Sequence, residues 1–224
     1  MKRLVFIFCL FFSLTAHGIK FERGGKKYTA TNGLIFAKVG CDKLDDGYLY
    51  RRAMKEFKLF KKQYKRRTIK KHLKRVVFCR ELSLGLYFGA TGSYNVKNKT
   101  LFIEVSYRSN DTEYLLHHEF SSLLLHSNPN SKSLKKQWTS NNLVGYKPFF
   151  AQKYGKNQWK GKHEALRMRG FLYPYSRTNF ENDFNVMAAY FKADYLRKDL
   201  KKAANDYFRI NNKFFILKKF YENY

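Results

Sequence analysis

The chain has 224 residues, of which 45 are Lys or Arg and 17 are Asp or Glu, so its formal net charge at pH 7 is +28. Aromatic residues make up 18% of the chain, which argues against an intrinsically disordered protein and predicts one folded domain with a sizeable core. The charge favours anionic partners such as nucleic acid, acidic glycans or membrane headgroups, but it is spread from Lys20 to Lys219 and also fits a lysine-rich surface that binds nothing.

The first 18 residues have the pattern of a cleavable signal peptide. A short positive head precedes an apolar run at residues 4–12, and the segment ends with the small residues Ala16 and Gly18 at the spacing that signal peptidase recognises. We therefore predict cleavage before Ile19 and a secreted or periplasmic protein. A mature domain of residues 19–224 would remain.

Two alternatives remain for this segment. It is shorter than the roughly 18–20 apolar residues of a membrane span, so a membrane anchor is the weaker interpretation, and we expect no transmembrane segment after cleavage. Lipid attachment at Cys9 is the other alternative.

After cleavage, Cys41 and Cys79 remain. In an oxidising compartment they predict a disulfide, with two separate buried thiols as the alternative.

The first predicted helix is strongly basic. From Gly47 to about His72, apolar residues recur every three or four positions, as on one face of a helix. The stretch from Lys58 to Arg75 holds ten Lys or Arg residues. It is the best candidate for contact with phosphates or acidic headgroups, and a solvated helix face is the alternative.

Strands and a second helix are predicted next. The β-branched and aromatic runs at 76–78 and 84–88 predict short strands, residues 89–99 are turn-rich, and residues 101–107 alternate as a half-buried strand does. A Leu-rich helix is predicted at 112–126, with Asn110 and Asp111 as its cap.

The remainder of the chain is irregular and then helical. Residues 127–179 contain all three prolines and both tryptophans and predict a loop-rich subdomain or lid. Helical spacing returns at 180–204, and a last helix is predicted at about 206–221. The fold class that we predict is α+β, a small sheet with a basic N-terminal helix, an active-site helix and C-terminal helices.

The clearest chemical pattern is His118-Glu119 on the Leu-rich helix. Zinc hydrolases use such a pair to supply one nitrogen ligand and a general base that activates water. The second His normally lies four residues after the first, where this chain has Ser122. His126 lies eight residues along the helix, about 12 Å away, and is not expected to replace it.

This layout resembles the zincin metallopeptidases of the gluzincin type, whose third zinc ligand is an acidic residue on a later helix. The later helix here opens with Phe180-Glu181-Asn182-Asp183-Phe184, which is similar to the acidic-aromatic start of that helix. Residues 117–125 also resemble a group of bacterial secreted proteins labelled zinc-binding metallopeptidases. The resemblance covers most of the mature chain and implies a zincin-like domain with one zinc and a peptide or protein substrate.

The resemblance also implies roles for particular residues. His118 would be the first zinc ligand, Glu119 the general base, and Asp183 the acidic ligand, with Glu181 as the alternative. A second nitrogen would come from His117 if the helix is distorted, or Ser122 or water would take its place.

Two functions follow from this interpretation. The first is a secreted zinc-dependent hydrolase of the metallopeptidase class. The second is a catalytically inactive zincin-like scaffold that binds anionic surfaces through the basic helix. The two functions differ in whether the site binds zinc. The serine at position 122 bears on this, because a hydroxyl is a poor zinc ligand.

Overall fold

The computed structural model describes residues 18–32, 35–84, 87–88, 91–107, 111–147 and 163–224. For residues 29–32, 35–37 and 87–88 it describes the backbone alone. Of the predicted signal peptide only Gly18 is among the described residues, and Asn110, which we predict in the helix cap, is not.

The described residues form an α+β fold, as the sequence predicts, with a mixed sheet of seven strands. The strands are β1 (Lys20–Glu22), β2 (Lys26–Asn32), β3 (Ile35–Lys43), β4 (Arg75–Leu84), β5 (Tyr87–Phe88), β6 (Gly92–Asn95) and β7 (Thr100–Glu104). The long strand β4 organises the sheet, because it pairs in parallel with β1 and β7 and antiparallel with β3 and β5. Strand β6 pairs antiparallel with β7.

Three of the strand predictions need correction. The run at 84–88 is not one strand, because Leu84 ends β4 and pairs antiparallel with Tyr87 of β5. Strand β7 is buried along its length except at Glu104, whereas the alternating pattern predicts a half-buried strand. It is buried because β4 and β6 flank it and a helix packs over it. Strand β6 lies inside the segment 89–99 that we predict as turns. Its end residues, Gly92 and Asn95, are of types that strands disfavour, so residue propensities do not indicate a strand here.

Eight α-helices lie in the described part of the chain. They are α1 (Gly47–Lys62), α2 (Arg66–His72), α3 (Thr112–His126), α4 (Ser131–Thr139), α5 (His163–Met168), α6 (Phe180–Lys192), α7 (Asp194–Asp206) and α8 (Phe208–Glu222). Helix α3 has the bounds that the sequence predicts. None of these helices combines the length and the apolar character that crossing a bilayer requires.

Two predicted helices are each divided in two. The basic helix breaks after Lys62, where Tyr64 is buried against the rings of Phe60 and Phe120. The helical region at 180–204 breaks at Ala193, which has an extended backbone (ψ 119°) and is buried. Neither break has a Gly or Pro, so tertiary packing fixes both positions.

Part of the region predicted as a subdomain or lid contributes to the core. It contains α4, α5 and a 3₁₀ helix at Pro174–Arg177. Trp138 of α4 is fully buried, with its ring 4.9 Å from that of Phe184 in α6. Residues 148–162 lie outside the described part.

A disulfide joins Cys41 of β3 to Cys79 of β4, which confirms the predicted pair. The two Cα atoms are 5.1 Å apart, and both side chains are buried beside Val77 and Phe102. The cross-link therefore ties the N-terminal strands to the centre of the sheet.

Candidate active site on helix α3

Helix α3 is almost entirely buried, between α1, α6 and the strands β6 and β7. Successive residues on a helix are rotated by about 100°, so neighbours along the chain face different parts of the protein. Residues four apart share a face. His118, Ser122 and His126 therefore lie along one face of α3, and His117 and Ser121 lie along another.

His117 faces away from the site that the sequence predicts. Its Nδ1 is 3.0 Å from the hydroxyl of Tyr64, and its Nε2 is 3.6 Å from Glu113. Its ring packs 5.0 Å from that of Phe60, and burial lowers the pKa of the imidazole. The helix is regular here, so the distortion that would bring His117 towards His118 does not occur.

His118 lies between two tyrosine rings. The centroids of Tyr114 and Tyr175 are 5.8 and 5.9 Å from that of its imidazole. Burial lowers the pKa of His118 to about 4, although the nearby Glu181 acts in the opposite direction. The side chain is therefore neutral at pH 7, and its buried Nδ1 has no hydrogen-bond partner.

Glu119 points at strand β6. A Cβ at Gly92 would lie 2.5 Å from its Oε1, so the missing side chain at Gly92 makes room for the carboxylate. Burial and the charge of Glu181 raise the pKa of Glu119 to about 8. Gly92 thus gives the predicted general base a place between the helix and the sheet.

Ser122 connects α3 to α6. Its hydroxyl donates to Oε1 of Glu181 at 2.8 Å and accepts from Nδ2 of Asn185 at 2.6 Å. Ser122 and Asn185 are each 1% exposed. The side chain at the position of the missing second His is therefore engaged through both its donor and its acceptor.

Glu181 is the centre of this network. Besides Ser122, Oε1 accepts from the hydroxyl of Tyr94 at 2.6 Å, while Oε2 lies 3.4 Å from Nε2 of His126. Burial by itself would raise the pKa of Glu181, but these hydrogen bonds and the charge of His126 hold it below its usual value. Glu181 is therefore ionised at neutral pH.

Asp183, which the resemblance suggests first as the acidic ligand, has a different environment. Its Oδ2 accepts from Lys213 at 2.6 Å, Trp138 at 2.9 Å and Tyr146 at 3.2 Å, and its side chain is fully buried. Glu181 is the acidic residue that the structure brings to Ser122, and Asp183 binds groups from α4, α8 and the segment after α4. The two residues are two positions apart in a helix, so their side chains point in nearly opposite directions.

A zinc site normally takes three protein ligands when it is catalytic and four when it is structural. Here the carboxylate of Glu181 meets the hydroxyl of Ser122 at one oxygen and the imidazole of His126 at the other, so both of its oxygens are engaged. In the described part of the chain, no group of three or more His, Cys, Asp or Glu side chains is arranged to hold a metal ion. Ser122 thus supplies a hydroxyl, a poor zinc ligand, where the pattern has an imidazole.

Sequence reasoning missed three members of the network. Tyr94 lies in the undetected strand β6, and Asn185 is one turn after Glu181 on α6. The distance of His126 from His118 argues against a second zinc ligand, and His126 joins the network through Glu181, which reaches both Ser122 and His126. The one available signal was the shared helical face of residues 118, 122 and 126.

Comparison of the chain with protein-family models, with curated proteins and with solved structures finds no match. The interpretation of the site therefore depends on the geometry described above.

Proposed function

We propose that the protein is an exported zincin-like domain that lacks a complete zinc site and binds anionic surfaces. The binding surface is the basic segment, defined as residues Lys58 to Arg75. The anionic partner belongs to the class of acidic glycans, nucleic acids or membrane headgroups.

One observation carries this proposal. Every Lys and Arg from Lys58 to Lys74 is exposed, and none forms a salt bridge with a carboxylate that the structure describes. No Asp or Glu occurs in the sequence between Glu56 and Glu81. A surface with many unpaired cations attracts polyanions, because binding releases their condensed counterions.

The zincin-like part of the proposal is supported by the arrangement of α3 and α6. His118, Glu119 and Ser122 follow the gluzincin pattern with one replacement, and Glu181 at the start of α6 reaches the replaced position. The side chain of Asn179 caps α6 by accepting from the backbone N–H of Asn182 at 2.8 Å, which fixes the turn that carries Glu181. The disulfide supports export, because such bonds persist in oxidising compartments.

Heparin affinity tests the binding surface. Replacing Lys61, Lys62, Arg66 and Arg67 by Glu should lower the salt concentration needed for elution far more than a matched change elsewhere. The control reverses four exposed lysines on β2 and α4, namely Lys26, Lys27, Lys132 and Lys135. If both quadruple variants elute at the same salt concentration, the basic segment is a solvated face. Its positive charge then reflects a lysine-rich composition and not a binding site.

Zinc-dependent hydrolysis of peptides is the second candidate function. It is favoured by His118, a neutral buried imidazole with an unpartnered Nδ1, and by Glu119, the acid–base residue beside it. A zinc ion would supply Lewis-acid chemistry there, and Glu181 would have to exchange its hydrogen bonds for it. Zinc-dependent peptidase activity that is lost in Glu119→Gln would establish this function in place of the first.

A further inference from the structure

A groove lies beside the basic segment, between the end of α6 and the helices α7 and α8. Its volume is about 440 Å³. The side chains that line it are four cations, two phenylalanines and one amide, namely Lys192, Arg197, Lys201, Lys218, Phe191, Phe214 and Gln63. No carboxylate is among them.

Lys192 is a half-buried cation without a carboxylate partner in the described structure. Its Nζ donates to the backbone oxygen of Gln63 at 3.2 Å and lies over the rings of Tyr64 and Tyr221 at 4.8 and 4.2 Å. Burial, together with the charges of Arg197 and Lys65, lowers the pKa of Lys192 to about 8. An anion in the groove would compensate these charges.

The other cations differ in how much of their charge is already paired. Arg197 forms an ion pair with Asp194 at 2.9 Å, and it also donates to the backbone oxygens of Phe191 and Lys192. Lys201 and Lys218 are exposed and form no salt bridge within the described structure. The available positive charge of the groove therefore comes from its three lysines.

An exposed aromatic residue lies next to these cations. The rings of Phe191 and Phe214 are 5.7 Å apart, and the ring of Phe215 is 6.2 Å from that of Phe214. Phe215 is 58% exposed and is flanked along α8 by Lys218 and Lys219. Lysines around an exposed phenylalanine form the combination that binds the interface of an anionic bilayer, where the ring enters the acyl boundary and the cations contact the phosphates.

We propose that this groove docks on an anionic lipid bilayer, with lipid phosphates between Lys192, Lys201 and Lys218 and with Phe215 inserted among the acyl chains. The inference rests on the proposed function, since it names the anionic partner and extends the binding surface from the basic segment to α6–α8. The two surfaces are adjacent, because Gln63 lies in the break between α1 and α2 and also lines the groove.

The experiment measures cosedimentation with phosphatidylcholine vesicles that contain or lack phosphatidylglycerol. The wild-type protein should bind only the anionic vesicles. Lys201→Glu combined with Lys218→Glu should weaken this binding about tenfold or more, since each basic residue near the membrane contributes on the order of 1 kcal/mol. The charge-matched control, Lys26→Glu with Lys27→Glu, should have a much smaller effect.

Phe215→Ala separates a bilayer from a soluble polyanion. We expect it to weaken vesicle binding several-fold while leaving binding to heparin and to single-stranded DNA unchanged, because only a bilayer offers an acyl region. If Phe215→Ala weakens binding to vesicles and to DNA equally, the ring of Phe215 stacks on bases and the proposal is overturned. Absent vesicle binding, or equal effects of the groove and control variants, would also overturn it.

The same set of variants distinguishes this failure from failure of the proposed function. If vesicle binding is absent but retention on heparin still depends on Lys61, Lys62, Arg66 and Arg67, the inference fails and the proposed function stands. If heparin retention does not change when those four residues are replaced, while vesicle binding depends on the groove, the basic segment is not the binding surface. The groove is then still the site that docks on the bilayer.

Discussion

Ser122 donates its hydroxyl proton to Glu181 across 2.8 Å and so joins the helix with the His-Glu pair to the helix with the acidic residue. In the gluzincin pattern that the sequence resembles, these two positions hold a histidine and a carboxylate that bind the same metal. Here a hydrogen bond, supported by Asn185, Tyr94 and His126, links them directly. We propose that this network takes the place of the metal.

The buried ion pair between Asp183 and Lys213 should be structural. Asp183→Asn leaves the ammonium group unpaired in the core, which typically costs about 3–5 kcal/mol of unfolding free energy. Combining Asp183→Asn with Lys213→Met should recover much of this loss, because no uncompensated charge then remains. Urea unfolding measures both effects.

The control for this pair is the exposed residue Glu164, whose replacement by Gln should change the unfolding free energy by about 0.5 kcal/mol or less. If Asp183→Asn instead leaves stability unchanged, the ion pair does not hold α6 against α8 and the assignment of Asp183 to the core is wrong.

His72 should make the fold sensitive to acid. Burial, with contributions from Lys71 and Lys99, lowers the pKa of His72 from 6.5 to about 4. Between these values the unfolded chain binds a proton that the folded chain does not, so the unfolding free energy falls as the pH decreases through this window.

The variant His72→Gln should therefore lose less stability than the wild type between pH 6.5 and 4, as urea unfolding across this range will show. His163→Gln serves as the control, since His163 is partly exposed. Parallel losses in the wild type and His72→Gln would mean that other groups cause the acid sensitivity.

The predicted signal peptide implies a defined N-terminus for the mature protein. Protein recovered outside the cytoplasm should begin at or near Ile19, because Ala16 and Gly18 have the spacing that signal peptidase recognises. Sequencing from the N-terminus measures this directly. An intact Met1 on a membrane-embedded product would show that the apolar run is an anchor.

The sequence predicts some parts of this fold well for identifiable reasons. Helix α3 has the predicted bounds because a Leu-rich segment begins after Asp111 and is followed by Ser127 and Pro129. Asp111 occupies the N-cap position, but its side chain makes no capping hydrogen bond. The disulfide follows from the two cysteines that remain after the predicted cleavage. Both predictions depend on features that the sequence itself contains, namely the residues at the two ends of one segment and the number of cysteines.

Other features depend on contacts that no local pattern records. The break at Gln63 arises where Tyr64 packs against α3, and strand β6 forms because β7 is available to pair with it. Lys213, thirty residues away, binds Asp183, whereas Glu181 reaches Ser122. The resemblance names Asp183 before Glu181 as the acidic ligand, and it has no access to the contact with Lys213.

The zinc content of the mature protein, after incubation with excess zinc and removal of free metal, tests whether the network takes the place of the metal. We expect well below one zinc per chain, and we expect Ser122→His to raise this content, because the variant restores a nitrogen ligand one turn from His118. One zinc per wild-type chain, retained on dialysis and lost in His118→Ala, would show that the hydrogen-bond network does not take the place of the metal.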